Sequence, residues 1–137
     1  MKEQRSRDSS VLFVTPHTEE ANRLSQMLKP LSLFVEHVPD LQQARARYRQ
    51  FQYRVIVTEA RLPDGDWEDV LSLSQETWPV PNVIVTDLHA DAGFWAKALN
   101  LGAYDLLVQP FDESEVRRIL SYACAASGAE VGAHSAL

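Results

Sequence analysis

Five short apolar runs rich in β-branched residues recur along the chain: VLFVT at 11–15, LFVEHV at 33–38, RVIVTE at 54–59, NVIVT at 82–86 and YDLLV at 104–108. Runs of this length and composition predict strands. The segments between and after them carry apolar residues at three- and four-residue spacing, which predicts helices. The stripes are Ala21, Leu24, Met27 and Leu28; Leu41, Ala44, Tyr48 and Phe51; Trp67, Val70, Leu71 and Ser74; Phe94, Trp95, Ala98 and Leu101; and Val116, Ile119, Leu120 and Ala123. Punctuation fits these limits. Pro16 and Thr18 open the first helix, Pro39 and Asp40 the second, Pro79 and Pro81 close the third, and Gly102 ends the fourth. Five strand–helix units without an internal repeat predict an α/β fold, a doubly wound five-stranded parallel sheet with helices on both faces. The strands barely alternate, as expected when both faces are buried.

Composition narrows the picture. At 137 residues, 45% hydrophobic and 23% charged, the chain suits one domain, expected at 10–126, with flexible segments at 1–9 and 127–137. The formal net charge of −6 disfavours direct binding of nucleic acid or an anionic membrane. No apolar run approaches the roughly 20 residues of a membrane span. The polar start MKEQRSRDSS lacks the apolar core of a signal peptide, so a cytoplasmic location is expected. The lone Cys124 lies among alanines in a helical pattern and reads as a small buried side chain.

In an open parallel sheet, ligands sit beyond the carboxyl ends of the strands. Those ends read Thr15-Pro16-His17, Thr58-Glu59, Thr86-Asp87 and Gln109-Pro110-Phe111, and Glu59, Thr86 and Gln109 are expected to converge. The histidines His17, His37, His89 and His134 lack metal-ligand spacing and read as surface or loop residues; His17, Glu59 and Asp87 around one cation is the alternative. Asp64 and Asp66 around Gly65 read as turn chemistry, and Glu19 and Glu20 as acids suited to a helix N-terminus. Arg45, Arg47, Arg49 and Arg54 read as a solvated flank.

Over roughly residues 10–125 the chain resembles the receiver domains of two-component response regulators. VLFVTPH resembles the family's first strand, which normally ends in an acidic pair. VIVTEARLPDGDW resembles the phosphoacceptor strand, NVIVTD the strand that ends in a hydroxyl residue, and GAYDLLVQPF the Gly-Ala turn, fifth strand and Lys-Pro-Phe signature. The resemblance implies a flavodoxin-like (βα)5 fold with strand order 2-1-3-4-5. It also implies a site in which acidic residues hold magnesium, an aspartate takes a phosphoryl group, and a lysine and a hydroxyl contact the phosphoryl oxygens.

This chain departs from that pattern at most of the positions that carry chemistry. Thr15 and Pro16 stand at the acidic pair, Glu59 at the acceptor and Gln109 at the lysine; only Thr86 keeps the usual type. Leu106 stands at the position that often holds an aromatic switch residue. Magnesium needs carboxylates to offset its dehydration, and phosphoryl transfer needs cationic stabilisation of the equatorial oxygens. A metal site, a cofactor and catalysis are therefore not expected. Glu59 with neutral Thr15 and Gln109 leaves a formal charge of −1, which partners or water can satisfy without metal. Glutamate reaches about 1.5 Å farther than aspartate. Two readings follow: Glu59 reaches Thr86 and locks an active-like state, or it fills a vestigial pocket.

The expected function is a degenerate pseudo-receiver that signals through protein contacts, with a protein partner or an output domain. A homodimer through the fourth helix, fifth strand and fifth helix is one form of this, with Phe94, Trp95 and Leu106 as candidate interface residues. Phe94 and Trp95 are about 100° apart around a helix; core packing of both at the helix margin is one reading, and exposure of one of them for docking the other. Two other functions compete. One is a phosphorelay receiver with Glu59 as an atypical acceptor, which the missing acidic pair disfavours. The other is a flavodoxin-like cofactor carrier using TPHTEE, which lacks the glycines of a phosphate loop.

Overall fold

The structure, a computed structural model, describes residues 10–126. The segments 1–9 and 127–137, expected to be flexible, lie outside the described residues. Strands β1 (Ser10–Val14), β2 (Phe34–Val38), β3 (Val55–Glu59), β4 (Asn82–Asp87) and β5 (Asp105–Val108) alternate with helices. The helices are α1 (Thr18–Leu28), α2 (Leu41–Gln50), α3 (Trp67–Ser74), α4 (Ala92–Leu101) and α5 (Glu113–Ala126). The strands form one parallel sheet in the order β2-β1-β3-β4-β5. Strand order therefore reverses at β1 and β3, and the crevice past their carboxyl ends is where such folds place a site.

Every residue of β1 from Val11 to Val14 is fully buried, and alternate side chains enter two different cores. Leu12 and Val14 join Ile56, Val83, Val85 and Leu106 under α2, α3 and α4. Val11 and Phe13 join Val55, Val57, Ile84 and Leu107 under α1 and α5. Burial on both faces explains the unbroken apolar runs. Most of the helical stripes are the faces that close these cores: Ala21, Leu24 and Leu28, Leu41, Ala44 and Tyr48, the α3 set, and Val116, Ile119, Leu120 and Ala123 are all buried. Cys124 is buried among them. Leu101 and Phe51 break the pattern, being 48% and 44% exposed, because they stand at helix ends past the last turn that touches the sheet. Gly102 ends α4 with φ at 121°, a conformation costly for a residue with a Cβ.

Local chemistry fixes the loops at the carboxyl end. Asp66 caps α3 in a reciprocal box with Asp69, and Asp40 and Asp91 cap α2 and α4. Asp64 does more than the turn chemistry expected of it. Its carboxylate accepts the backbone N–H groups of Leu41 at 2.8 Å and Gln42 at 3.0 Å, tying the loop after β3 to the start of α2. These bonds hold Asp64 below the usual carboxylate range. The arginine group is less solvated than its composition suggests: Arg47 pairs with Glu36 and lies over the Phe51 ring, and Arg54 donates to the carbonyl of Cys124.

Candidate functional site

Glu59 is the last residue of β3 and is 7% exposed. The register sets Thr86 directly beside it on β4, and β1 lies on its other side. Thr15 directly follows β1 and is fully buried, so its side chain meets the glutamate across the strand ends. Thr15 Oγ1 donates to Glu59 Oε2 at 2.9 Å and accepts the backbone N–H of His17 at 3.0 Å. Gln109, which follows β5, brings its amide over the site from the opposite side. Its Nε2 donates to both Glu59 oxygens at 3.2 Å and to Thr86 Oγ1 at 3.1 Å. Thr86 in turn donates to the backbone carbonyl of Leu107 at 2.9 Å.

The convergence expected of Glu59, Thr86 and Gln109 is present, and Thr15 completes it. A single hydrogen-bonded network closes the ends of β1, β3, β4 and β5. Glu59 does not reach Thr86 directly: the Thr86 hydroxyl is committed to Leu107, and the Gln109 amide stands between the two side chains. Pro16 is exposed and lies outside the network. His37, on the edge strand, reaches the site from behind through Thr15, its Nε2 lying 2.8 Å from the Thr15 carbonyl oxygen.

Burial pushes the Glu59 carboxyl above the ordinary glutamate value of 4.5, opposed by the bonds from Thr15 and Gln109 and by His17, and reinforced by Glu20. Glu20 is a member the sequence reading passed over as a helix-start acid. Its Oε1 is enclosed without a hydrogen-bond partner. The available signal was its position four residues before Leu24, which shares its helix face and points into the core. With Glu20 counted, a second carboxylate acts on Glu59 from α1. The described residues nevertheless hold no cluster of three His, Cys, Asp or Glu suited to a metal ion, so His17, Glu59 and Asp87 do not form the alternative cation site.

The candidate interface is corrected at Leu106, which is 3% exposed and belongs to the core under α4, because its position on β5 turns it inward. Phe94 and Trp95 are both half-buried and both pack against that core, the helix-margin packing that was one of the two readings. Phe94 meets Trp67 edge to face at 5.8 Å, and with it walls a groove of about 440 Å³ beside Asp87 and Lys97. The apolar residues left exposed on this side are Leu99 and Leu101 of α4, Tyr104 and Val108 at β5, and Tyr122 of α5.

A fold with this strand order and a site at this crevice is one that receiver domains share with flavodoxin-like carriers. The family model for the response regulator receiver domain matches residues 11–121, and the chain belongs to that family. It is 31% identical over 88 residues to the DNA-binding transcriptional regulator NtrC of Proteus hauseri, covering 64% of this chain and 18% of that protein. It is 24% identical over 112 residues to the response regulator protein PilR of Pseudomonas aeruginosa, covering 82% of this chain and 25% of that protein. The chain thus spans a quarter or less of the length of these relatives. Among solved structures it is similar to the beryllofluoride-activated NtrC4 receiver domain dimer, with a TM-score of 0.79 and 26% identity over 85% of this chain and 97% of that one. The receiver domain of a Luxo repressor protein from Vibrio parahaemolyticus has the same fold, with a TM-score of 0.79 at 22% identity over 85% of this chain and 90% of that one. The protein is accordingly a receiver domain of two-component signalling. No helix among the described residues is long and apolar enough to cross a membrane.

Proposed function

We propose that this receiver domain signals without phosphoryl transfer, as a non-catalytic module that acts through protein contacts. The observation that carries the reading is the closed network on Glu59. The donors that meet the carboxylate are a neutral hydroxyl and a neutral amide, whereas a transferring phosphoryl group needs metal and a cation on its oxygens. The Gln109 amide also spans Glu59 and Thr86, the space an incoming phosphoryl group has to enter. Glu59 fills a vestigial pocket in this reading, since its carboxylate is held by Thr15 and Gln109 instead of by Thr86. Magnesium with beryllofluoride tests it: the melting temperature and tryptophan fluorescence should stay unchanged at millimolar concentrations. Ligand at a hundredfold excess over its dissociation constant would add about 2.7 kcal/mol of stability, and such a rise, lost in Glu59→Gln, overturns the reading.

The partner is a second copy or an output domain meeting the face formed by α4, β5 and α5. Support comes from the exposed apolar side chains Leu99, Leu101, Tyr104, Val108 and Tyr122 that line that face and from the dimer named for a receiver of similar fold. Burying these side chains supplies association energy while leaving the core intact. A cytoplasmic setting accords with this role.

A further inference from the structure

Glu59 is buried at the end of β3, and Glu20 of α1 has one oxygen enclosed and acts on it as a like charge. The donors to Glu59 are neutral, and Glu20 Oε1 has none. The charged or titratable groups that act on Glu59 are His17 and Glu20, both from the start of α1. The end of β1 presents Thr15, β4 presents Thr86 and the turn after β5 presents Gln109, none of them ionisable in the ordinary range. His17 is exposed to solvent. An enclosed carboxylate beside a like charge, with no enclosed cation, is relieved by taking up a proton.

We infer that Glu59 is a proton-operated latch: uptake of one proton by its carboxylate weakens the bridge that Gln109 makes between Glu59 and Thr86 and loosens the turn into α5. The step moves a solvent proton onto a Glu59 oxygen and changes no other covalent bond. It removes the repulsion with Glu20. It also turns a charged acceptor of the Gln109 amide into a neutral one, so the bonds to Glu59 weaken while the bond to Thr86 Oγ1 at 3.1 Å is kept. The tie from Thr86 to the Leu107 carbonyl is untouched. The change therefore concentrates in Gln109 and the residues that follow it, where Phe111 packs against Phe13 of β1 at 6.2 Å. Burial, the largest influence on Glu59, favours the protonated form.

Carboxyl-carbon NMR titration of the whole chain, with the side-chain amide of Gln109 followed in parallel, tests the latch. The Glu59 carbon should titrate above the ordinary glutamate value of 4.5, and the Gln109 amide signals should shift with the Glu59 midpoint. Glu20→Gln should lower that midpoint, and Glu59→Gln should abolish the Gln109 shift. A Glu59 midpoint at or below the ordinary value of 4.5, a Gln109 amide that ignores the titration, or a midpoint unmoved by Glu20→Gln would each overturn the inference.

Discussion

Thr15→Val removes one hydroxyl from a fully buried position while nearly keeping its shape, and so isolates the bond to Glu59. That bond is 2.9 Å long and ends on an enclosed carboxylate. Hydrogen bonds to charged groups contribute about 1.5–3 kcal/mol, and an enclosed acceptor that loses its donor bears the larger share. The variant should therefore lose about 2–3 kcal/mol at neutral pH, which for a domain of this size lowers Tm by roughly 6–15 °C. Thr15 Oγ1 also accepts the N–H of His17, and that smaller loss must be separated from the first. Glu59→Leu makes the separation, because the His17 bond is lost in either background whereas the carboxylate bond is lost only where Glu59 is present. Urea unfolding of wild type, both single variants and the double variant completes the cycle. The cost of Thr15→Val should fall to about 1 kcal/mol or less when position 59 is leucine. Costs in the two backgrounds that agree within about 0.5 kcal/mol would mean no coupling, and the network would not be what holds the glutamate.

The pH dependence of stability follows from the raised Glu59 value. A carboxyl that is harder to ionise in the fold stabilises it fully below the ordinary value of 4.5 and loses that contribution as pH rises through the folded value. Chemical unfolding across pH should show wild type losing ground to Glu59→Gln over that window; parallel curves would contradict the assignment. Asp64→Ala removes the acceptor of two N–H groups at the start of α2 and should cost about 1 kcal/mol at neutral pH. Its effect should fade on acidification, since the Asp64 value is lowered in the fold and its contribution is lost as pH falls. Leu99→Asp with Val108→Asp should leave circular dichroism intact and shift a dimer to monomer in sedimentation; a wild type already monomeric at high concentration would assign the face to an output domain. Trp95→Ala should instead cost about 1–3 kcal/mol of stability, because Trp95 packs against the core.

Much of the fold was legible because strand and helix periodicities rarely collide here. Each apolar run became a strand within about a residue of its expected limits, and buried stripes appeared where spacing placed them. The site positions were legible for a related reason, since strand ends in a parallel sheet meet at one crevice. Sequence left the direction of the contacts open. Whether Glu59 bonds Thr86 or Thr15 depends on which way the Gln109 amide lies and on the Leu107 carbonyl, which competes for the Thr86 hydroxyl. Glu20 was missed because an acid in a first helical turn already has a sufficient electrostatic reason to be there. Leu106 failed as an interface residue for a geometric reason: it belongs to the inward half of a short strand, a matter of register that a run as brief as YDLLV does not reveal.

The central question is whether the closed network has displaced phosphoryl chemistry. Intact-mass spectrometry after incubation with magnesium and phosphoramidate or acetyl phosphate measures this directly. It is best done on the wild type beside a variant carrying Thr15→Asp, Pro16→Asp, Glu59→Asp and Gln109→Lys. The wild type should gain no phosphoryl mass, and the variant, with carboxylates for the metal and a lysine for the phosphoryl oxygens, should gain one group per chain. Stoichiometric labelling of the wild type that disappears in Glu59→Ala would contradict the account.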